Sequence, residues 1–173
     1  MEIWDVYDID RQLTGRTVAR DANMDNMDFH LVVHVCIFNS AGQMLIQQRQ
    51  PFKKGWPNMW DVSVGGSGLH GETSRDAAAR ETFEELGLRL NFDGVRPKLT
   101  INFDQGFDDF YLIELDPKLD DLNLQEEEVQ AVQWASLDNI LGMMEAGTFI
   151  PYYKNLICYL FDTRNKYGCQ KSN

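Results

Sequence analysis

The sequence predicts an α/β layered domain, and two observations support this class. Short runs of β-branched and apolar residues, of which LVVHVCIF at 31–38 is the strongest, alternate along the chain with segments of helical periodicity. The length of 173 residues and the hydrophobic content of 43% suit one domain over residues 1–173 with a single sizeable core.

The individual elements follow from local patterns. A polar turn separates two short segments near the start, so residues 1–28 are predicted to form an amino-terminal hairpin extension. Two prolines and a glycine make residues 51–59 a loop, and residues 116–127 form a polar acidic loop. The predicted strands are 3–8, 14–19, 31–38, 44–50, 60–66, 95–103, 109–115 and 128–135, and the predicted helices are 73–86, 136–147 and 151–161, the last with Pro151 in its first turn.

Composition limits the classes of function. The net charge of −11 repels nucleic acid backbones and anionic membranes, so we expect neither as a partner. No apolar run reaches the roughly 20 residues that cross a bilayer, and the acidic start does not resemble a secretory signal. Cys36, Cys158 and Cys169 share no metal-ligand spacing, which favours a reducing cytoplasm. The same charge repels a phosphorylated substrate, so any phosphate chemistry should depend on metal cations.

The segment GGSGLHGETSRDAAARETFEELGL at 65–88 carries the chemistry as a glycine-rich loop, a helix and a second loop. At 100° per residue, Glu81, Glu84 and Glu85 fall within an arc of about 100°. Ala79, Phe83 and Leu86 fall on the opposite side, where we expect them to face the core. Thr73 suits the N-cap, and Gly87 suits the residue that ends the helix. Crowded carboxylates repel one another unless they are solvated or bind cations, and hard cations such as Mg²⁺ take oxygen ligands.

These residues resemble a known motif. The pattern G-x5-E-x7-R-E-x-x-E-E-x-G is the Nudix box, and here it is filled by Gly66, Glu72, Arg80, Glu81, Glu84, Glu85 and Gly87. Seven fixed letters match by chance on the order of once in 10⁸ starting positions. One departure is Thr82, where the family usually has an aliphatic residue. The resemblance implies a Nudix fold, an α/β/α sandwich with a mixed central sheet, and a metal-dependent pyrophosphohydrolase that cleaves a nucleoside diphosphate linked to another moiety X.

The resemblance also implies roles for the residues of the box. Glu84 and Glu85 would be the main ligands of Mg²⁺ or Mn²⁺, together with the backbone carbonyl of Gly65 or Gly66. Glu81 would be a further ligand or the base that activates water. Outside the helix, the family often adds a glutamate from a later loop, and Glu128 holds the matching place, with Glu127 as second choice. Within the box, Glu72 and Arg80 would pair structurally and Gly87 would end the helix. A solvated acidic surface is the alternative for each of these glutamates.

A second resemblance concerns residues 4–136, which are similar to isopentenyl-diphosphate isomerases, relatives that share the fold but move a double bond. By alignment on WPNMW, the isomerase cysteine is replaced by Gly65 and a neighbouring metal histidine by Ser67. His30 matches one family histidine, but its partner seven residues earlier is Asn23. Without the thiol and most imidazoles, isomerase chemistry lacks an acid–base pair. We therefore predict hydrolase machinery in an isomerase-like frame, and keep the isomerase and a catalytically silent ligand-binding module as alternatives.

Three basic residues are candidates for binding the non-reacting phosphate. Arg49, Lys53 and Lys54 match the anion-binding segment of the isomerase-like relatives, and Arg49 can grip phosphate through two hydrogen bonds. The alternative is that they are solvated loop charges. The expected partner is a small-molecule diphosphate, and the amino-terminal hairpin offers an interface for a homodimer.

Overall fold

The computed structural model describes residues 1–168 and 170. A two-stranded antiparallel sheet forms the amino-terminal hairpin, and a seven-stranded mixed sheet forms the centre. In chain order, the strands are β1 (Ile3–Tyr7), β2 (Leu13–Ala19), β3 (His30–Phe38), β4 (Met44–Arg49), β5 (Trp60–Asp61), β6 (Val64–Ser67), β7 (Leu99–Phe103), β8 (Gly106–Glu114) and β9 (Val129–Ala135). The helices are α1 (Ser74–Leu86), α2 (Leu137–Glu145) and α3 (Lys154–Thr163), and a 3-10 turn spans Leu119–Asp121.

The longest strand, β3, organises the central sheet. It pairs in parallel with β8 over its whole length and antiparallel with β6, while it meets β4 only at the pair Phe38–Met44. β4 pairs antiparallel with β5 and β9, and β7 closes the other edge against β8. Because both parallel and antiparallel pairs occur, the sheet is mixed, as predicted.

Two hydrophobic clusters on opposite faces of this sheet define the layers. One contains Val33 and Val35 of β3 and packs against Ala77, Ala78 and Leu86 of α1. The other contains Cys36 and Phe38 of the same strand and packs against Ile140 of α2 and Ile157, Leu160 and Phe161 of α3. The alternation along β3 therefore places α1 on one face and α2 and α3 on the other, which confirms the predicted α/β/α sandwich.

Three predicted boundaries are wrong. Residues 60–66 form two short strands, because the Val62 backbone turns to the carboxylate of Asp61. The strand predicted at 95–103 begins only at Leu99, since Pro97 has no N–H to donate to a ladder. The third helix begins at Lys154, so Pro151 precedes it instead of forming its first turn.

Two sequence-level observations on composition can be placed in the structure. Cys36 is buried and Cys158 is partly buried, and both thiols are free, while Cys169 lies outside the described residues. In the part of the chain that the structure describes, no helix is long and apolar enough to cross a membrane.

Candidate active site

The helix α1 is fixed at both ends by its own residues, which determines where its glutamates point. Thr73 and Asp76 form a capping box, in which the Asp76 carboxylate accepts from the Thr73 backbone N–H at 2.9 Å. At the other end Gly87 adopts the left-handed conformation with φ 71° and donates to the Phe83 carbonyl. Both predicted caps are therefore present, and the helix runs over Ser74–Leu86.

One open pocket, which we call the acidic pocket, collects most of the predicted metal-binding residues. Its rim combines the carboxylates of α1 with the backbone of β6 and with Glu128 from the loop before β9. The carboxylates that line it are Glu2, Glu81, Glu84, Glu85 and Glu128, and its other lining residues are Arg20, Gly65, Gly66, Ser67, Arg80 and Gln125. The fold thus brings the three box glutamates, both glycines and the later glutamate to a single place.

The three box glutamates differ in burial. Glu85 is only 4% exposed, and its carboxylate accepts a hydrogen bond from the Gln47 side chain at 2.9 Å. The side chain of Glu81 is 15% exposed and that of Glu84 is 45% exposed. The helix therefore presents a gradient from a buried carboxylate to one that solvent reaches freely.

Burial of these carboxylates raises their affinity for protons. Burial is the main cause that raises the pKa of Glu81 to about 7, with smaller contributions from the negative charges of Glu84 and Glu2 and an opposing effect of Arg80. For Glu85, burial and then the charge of Glu81 raise the pKa well above its ordinary value. In the metal-free protein, neither Arg80 beside Glu81 nor the Gln47 hydrogen bond to Glu85 compensates for the burial of these carboxylates.

Arg80 braces the loop between β6 and α1. Its Nε donates to Glu72 at 2.7 Å and its Nη2 donates to the Ser67 carbonyl at 2.9 Å. The second oxygen of Glu72 accepts from the Leu69 backbone N–H at 2.9 Å. Because the remaining Nη1 lies 2.9 Å from both Glu81 and Glu84, one guanidinium serves three carboxylates.

The donor set suits a hard divalent cation. Within the described residues, no three acidic, imidazole or thiol groups already converge as a ready ligand cluster, because Arg80 holds Glu81 and Glu84 while Lys53 holds Glu128. The pocket nevertheless offers only oxygen ligands from α1, the glycine strand and Glu128, the type that Mg²⁺ and Mn²⁺ prefer. A cation would supply the charge that the buried carboxylates lack.

Gly66 is required by close packing. A Cβ at this position would lie 2.0 Å from Oε1 of Glu81, so only glycine lets that carboxylate approach the strand. The neighbouring Gly65 is also closely packed, since its Cβ would lie 2.9 Å from Cδ2 of His34. His34 fills this space with its ring and hydrogen-bonds Asp108 at 2.6 Å through Nδ1.

The predicted substrate-binding residues line a second pocket, which we call the basic pocket. Arg49, Lys53 and Lys54 line it together with Arg20, Phe52, Gly55, Asp21 and Glu127. Arg49 donates to the Gly55 carbonyl at 3.0 Å, Lys53 is paired with Glu128, and Lys54 lies 3.3 Å from Asp21 with 89% of its side chain exposed. Glu127, the second choice for the later glutamate, lines this pocket, whereas Glu128 lines the acidic one.

One sequence prediction about the helix faces is wrong. Phe83, expected to face the core, is 40% exposed and lies under the Arg89 guanidinium at 3.9 Å. Thr82 takes the core-facing place, fully buried, and satisfies its hydroxyl by donating to the Ala78 carbonyl at 2.7 Å. The helix is therefore rotated so that Glu85 points inward, which explains its burial.

Four residues of the site escaped sequence reasoning. Glu2 and Arg20 come from the amino-terminal hairpin, Gln47 from β4, and Gln125 from the acidic loop. They share no spacing with the box, because tertiary contacts bring them there. The only signal in the sequence was the unusual presence of Arg20 among acidic neighbours.

The fold and the carboxylate site together define a Nudix hydrolase. The NUDIX domain family model matches residues 28–156, and the chain therefore belongs to this family. An uncharacterized Nudix hydrolase of Listeria monocytogenes is 46% identical over 165 residues, which cover 95% of this chain and 96% of the relative. The family generally hydrolyses diphosphate linkages with the help of divalent metal ions.

More distant relatives share the fold. An isopentenyl-diphosphate Delta-isomerase of Shigella flexneri is 30% identical over 148 residues, 77% of this chain and 76% of the relative. A crystal structure of a Deinococcus radiodurans protein superimposes with a TM-score of 0.75 at 24% identity and covers 91% of this chain and 98% of that one. A third structure is that of a bifunctional NMN adenylyltransferase/ADP ribose pyrophosphatase from Francisella tularensis, solved with AMP and a Mn ion. It superimposes with a TM-score of 0.61 at 20% identity and covers 79% of this chain and 42% of that one.

Proposed function

We propose that this Nudix hydrolase cleaves the diphosphate bond of a nucleoside diphosphate linked to another moiety, with Mg²⁺ or Mn²⁺ as the metal. The observation that carries the proposal is the adjacency of two pockets of opposite charge, one lined by the box carboxylates and the other by Arg49, Lys53 and Lys54. A diphosphate ester needs both kinds of contact, since one phosphate reacts beside the metal site while the other must be held.

The residues divide this work by position. Glu84, Glu85, Glu128 and the Gly66 carbonyl would hold the metal, which supplies charge neutralisation of the diphosphate and polarisation of its phosphorus–oxygen bonds. Glu81, with a pKa near 7, would accept the proton of the attacking water, because a base whose pKa lies near the working pH transfers protons efficiently.

The remaining box residues would preserve this geometry. Glu72 and Arg80 would keep the loop in place, and Gly87 would end the helix. In the basic pocket, Arg49 is the best placed of the three cations. Its Nε donates to the Gly55 carbonyl and its Nη1 lies 3.7 Å from Asp61, so both contacts fix its direction and Nη2 is the nitrogen to offer to a phosphate.

A panel of nucleotides and nucleotide conjugates, incubated with the purified protein and Mg²⁺ or Mn²⁺, tests the proposal. Product analysis should show a nucleoside monophosphate released at a metal-dependent rate. Glu84→Gln and Glu85→Gln should each lower kcat by on the order of 100-fold or more, as loss of a transition-state contact does. Glu126→Gln is the matched control for the change of charge, because this exposed glutamate lies two residues before Glu128 but lines neither pocket. Full activity in both box variants would refute the assignment.

The isomerase alternative rests on the 30% identity to the Shigella enzyme and on His30. Here His30 stacks on Trp4 at 4.2 Å between ring centroids, and burial lowers its pKa, so the imidazole is neutral near pH 7 and is not charged to act as a general acid. Incubation with isopentenyl diphosphate should therefore give no dimethylallyl product. Tight nucleotide binding without turnover under either metal would instead favour the silent binding module.

We further propose a cytoplasmic location and a small-molecule substrate. The free thiols of Cys36 and Cys158 suit a reducing compartment, and the charge of −11 disfavours polymeric nucleic acid and anionic membranes. A homodimer through the amino-terminal hairpin would be seen as a doubled mass in light scattering.

A further inference from the structure

Among the residues that the structure describes, Arg20 alone lines both the acidic pocket and the basic pocket. It follows β2 in the amino-terminal hairpin, outside the residues 28–156 that the family model matches. We propose that Arg20 is a diphosphate-binding residue, so that the hairpin completes the substrate site of the enzyme. This inference rests on the proposed function, and it adds a ligand that the box does not supply.

The position of Arg20 is set by the hairpin backbone. Its N–H donates to the Glu2 carbonyl at 3.1 Å, which continues the pairing of β1 with β2 one residue past Ala19. Because Arg20 lines both pockets, a group bound partly in each would bring its negative oxygens close to this arginine. A planar guanidinium can bind two such oxygens at once.

The two arginines of the acidic pocket differ in their availability. Arg80 already contacts Glu72, the Ser67 carbonyl, Glu81 and Glu84, so it has little left for a ligand. Arg20 has one described partner, Glu2, whose carboxylate accepts at 2.8 and 2.9 Å. Arg20 is thus the cation of this pocket that a phosphate can recruit.

The pair between Arg20 and Glu2 is exchangeable. Both side chains are about half exposed, at 51% and 45%, and ion pairs in such surroundings contribute little stability. A diphosphate carries more negative charge than one carboxylate, so it competes well for the guanidinium. In the free enzyme, the Glu2 carboxylate then occupies the place of a phosphate and orients the Arg20 side chain. The same negative charge also repels the substrate.

Four variants test the proposal with imidodiphosphate, a non-hydrolysable diphosphate, as the probe in Mg²⁺ by calorimetry. Arg20→Ala should weaken binding by on the order of 10-fold or more, and Arg20→Lys should lose less. Glu2→Gln should bind at least as tightly as the wild type, because it frees the guanidinium and removes a repelling charge. Arg16→Ala is the matched control: Arg16 lies in β2, four residues before Arg20, is similarly exposed at 54%, pairs with Asp28 and lines neither pocket.

The outcomes separate this proposal from the proposed function. A lower affinity in Arg20→Ala alone, with the melting temperatures of Arg20→Ala and Arg16→Ala alike, supports the binding role even if no nucleotide of the panel is hydrolysed. With an active substrate, the same variant should raise KM more than it lowers kcat. Equal affinity in Arg20→Ala and wild type, a loss of equal size in Arg16→Ala, or weaker binding in Glu2→Gln would overturn it, as would failure of the wild type to bind the probe.

Discussion

Replacing Glu81 by glutamine should stabilise the metal-free protein, because it removes a negative charge from a largely buried side chain. Its pKa lies at about 7 in the folded protein against an ordinary 4.5, mainly because of burial. Since each pKa unit is about 1.4 kcal/mol, the ionised carboxylate lowers the free energy of unfolding by about 3 kcal/mol at pH 8. The variant lacks this penalty, so it should be more stable than the wild type while losing activity.

The sign of the pH dependence follows from proton linkage. Below 4.5 both folded and unfolded chains hold the proton and there is no penalty. As the pH rises towards 7, the unfolded chain releases the proton while the folded chain still holds it, so stability falls until the folded carboxyl also ionises. The gain from Glu81→Gln should therefore be under about 1 kcal/mol at pH 5 and about 3 kcal/mol at pH 8.

Thermal unfolding in EDTA measures this difference. For a chain of this size, about 3 kcal/mol corresponds to a rise in Tm of roughly 6–12 °C at pH 8. Glu84→Gln is the control, because Glu84 shares Arg80 with Glu81 but is 45% exposed, and its replacement should change stability by less than about 1 kcal/mol. Mg²⁺ should narrow the difference, because the positive charge of a cation bound beside Glu81 offsets the cost of burying its ionised carboxylate, a cost that only the wild type carries.

The reasoning would be refuted if Glu81→Gln and Glu84→Gln melted together at pH 8. It would also be refuted if the gain in Glu81→Gln were the same at pH 5 and pH 8, because then burial of the charge would not be its cause.

Two further predictions concern groups that pack against the site. Gly66→Ala should lower kcat by on the order of 100-fold, because its Cβ would lie 2.0 Å from the Glu81 carboxylate and displace it. Gly142→Ala, in open space on α2, is the control and should leave activity unchanged. Equal rates in both variants would contradict this prediction. Asp108→Asn should lower the pKa of His34 in an NMR titration of the imidazole. Burial depresses that pKa, and the Asp108 hydrogen bond together with the negative charges of Asp108 and Asp61 more than offsets the burial; an unchanged pKa would contradict this.

Local patterns in the sequence were enough for the layers of the fold and for the helix that carries the box. The β-branched and apolar run at 31–38 predicted a buried strand. Thr73 and Gly87 predicted the limits of α1, because capping depends on neighbouring residues only. The helical wheel was less accurate: it placed Phe83 in the core, although the buried position belongs to Thr82. A wheel gives relative angles, and only packing decides which face turns inward.

The two-pocket arrangement could not be predicted, since it depends on contacts distant in the sequence. The pairing of β1 with β2 brings Arg20 next to the box. Lys53 contacts Glu128, although the two residues are 75 positions apart in the sequence. No regular spacing of residues in the sequence indicates either contact. For the same reason, the sequence named the candidate metal-binding glutamates of the helix but gave the hairpin no part in the substrate site.

The close contact between Gly65 and His34 constrains how this chain and the isomerases can be related by descent. A thiol-bearing side chain at position 65 would meet the imidazole at once, since even its Cβ would lie 2.9 Å from the ring. A replacement of Gly65 by cysteine would therefore require the His34 ring to move, or position 34 to carry a smaller side chain. On this backbone, the residue that position 65 can hold thus depends on the residue at position 34.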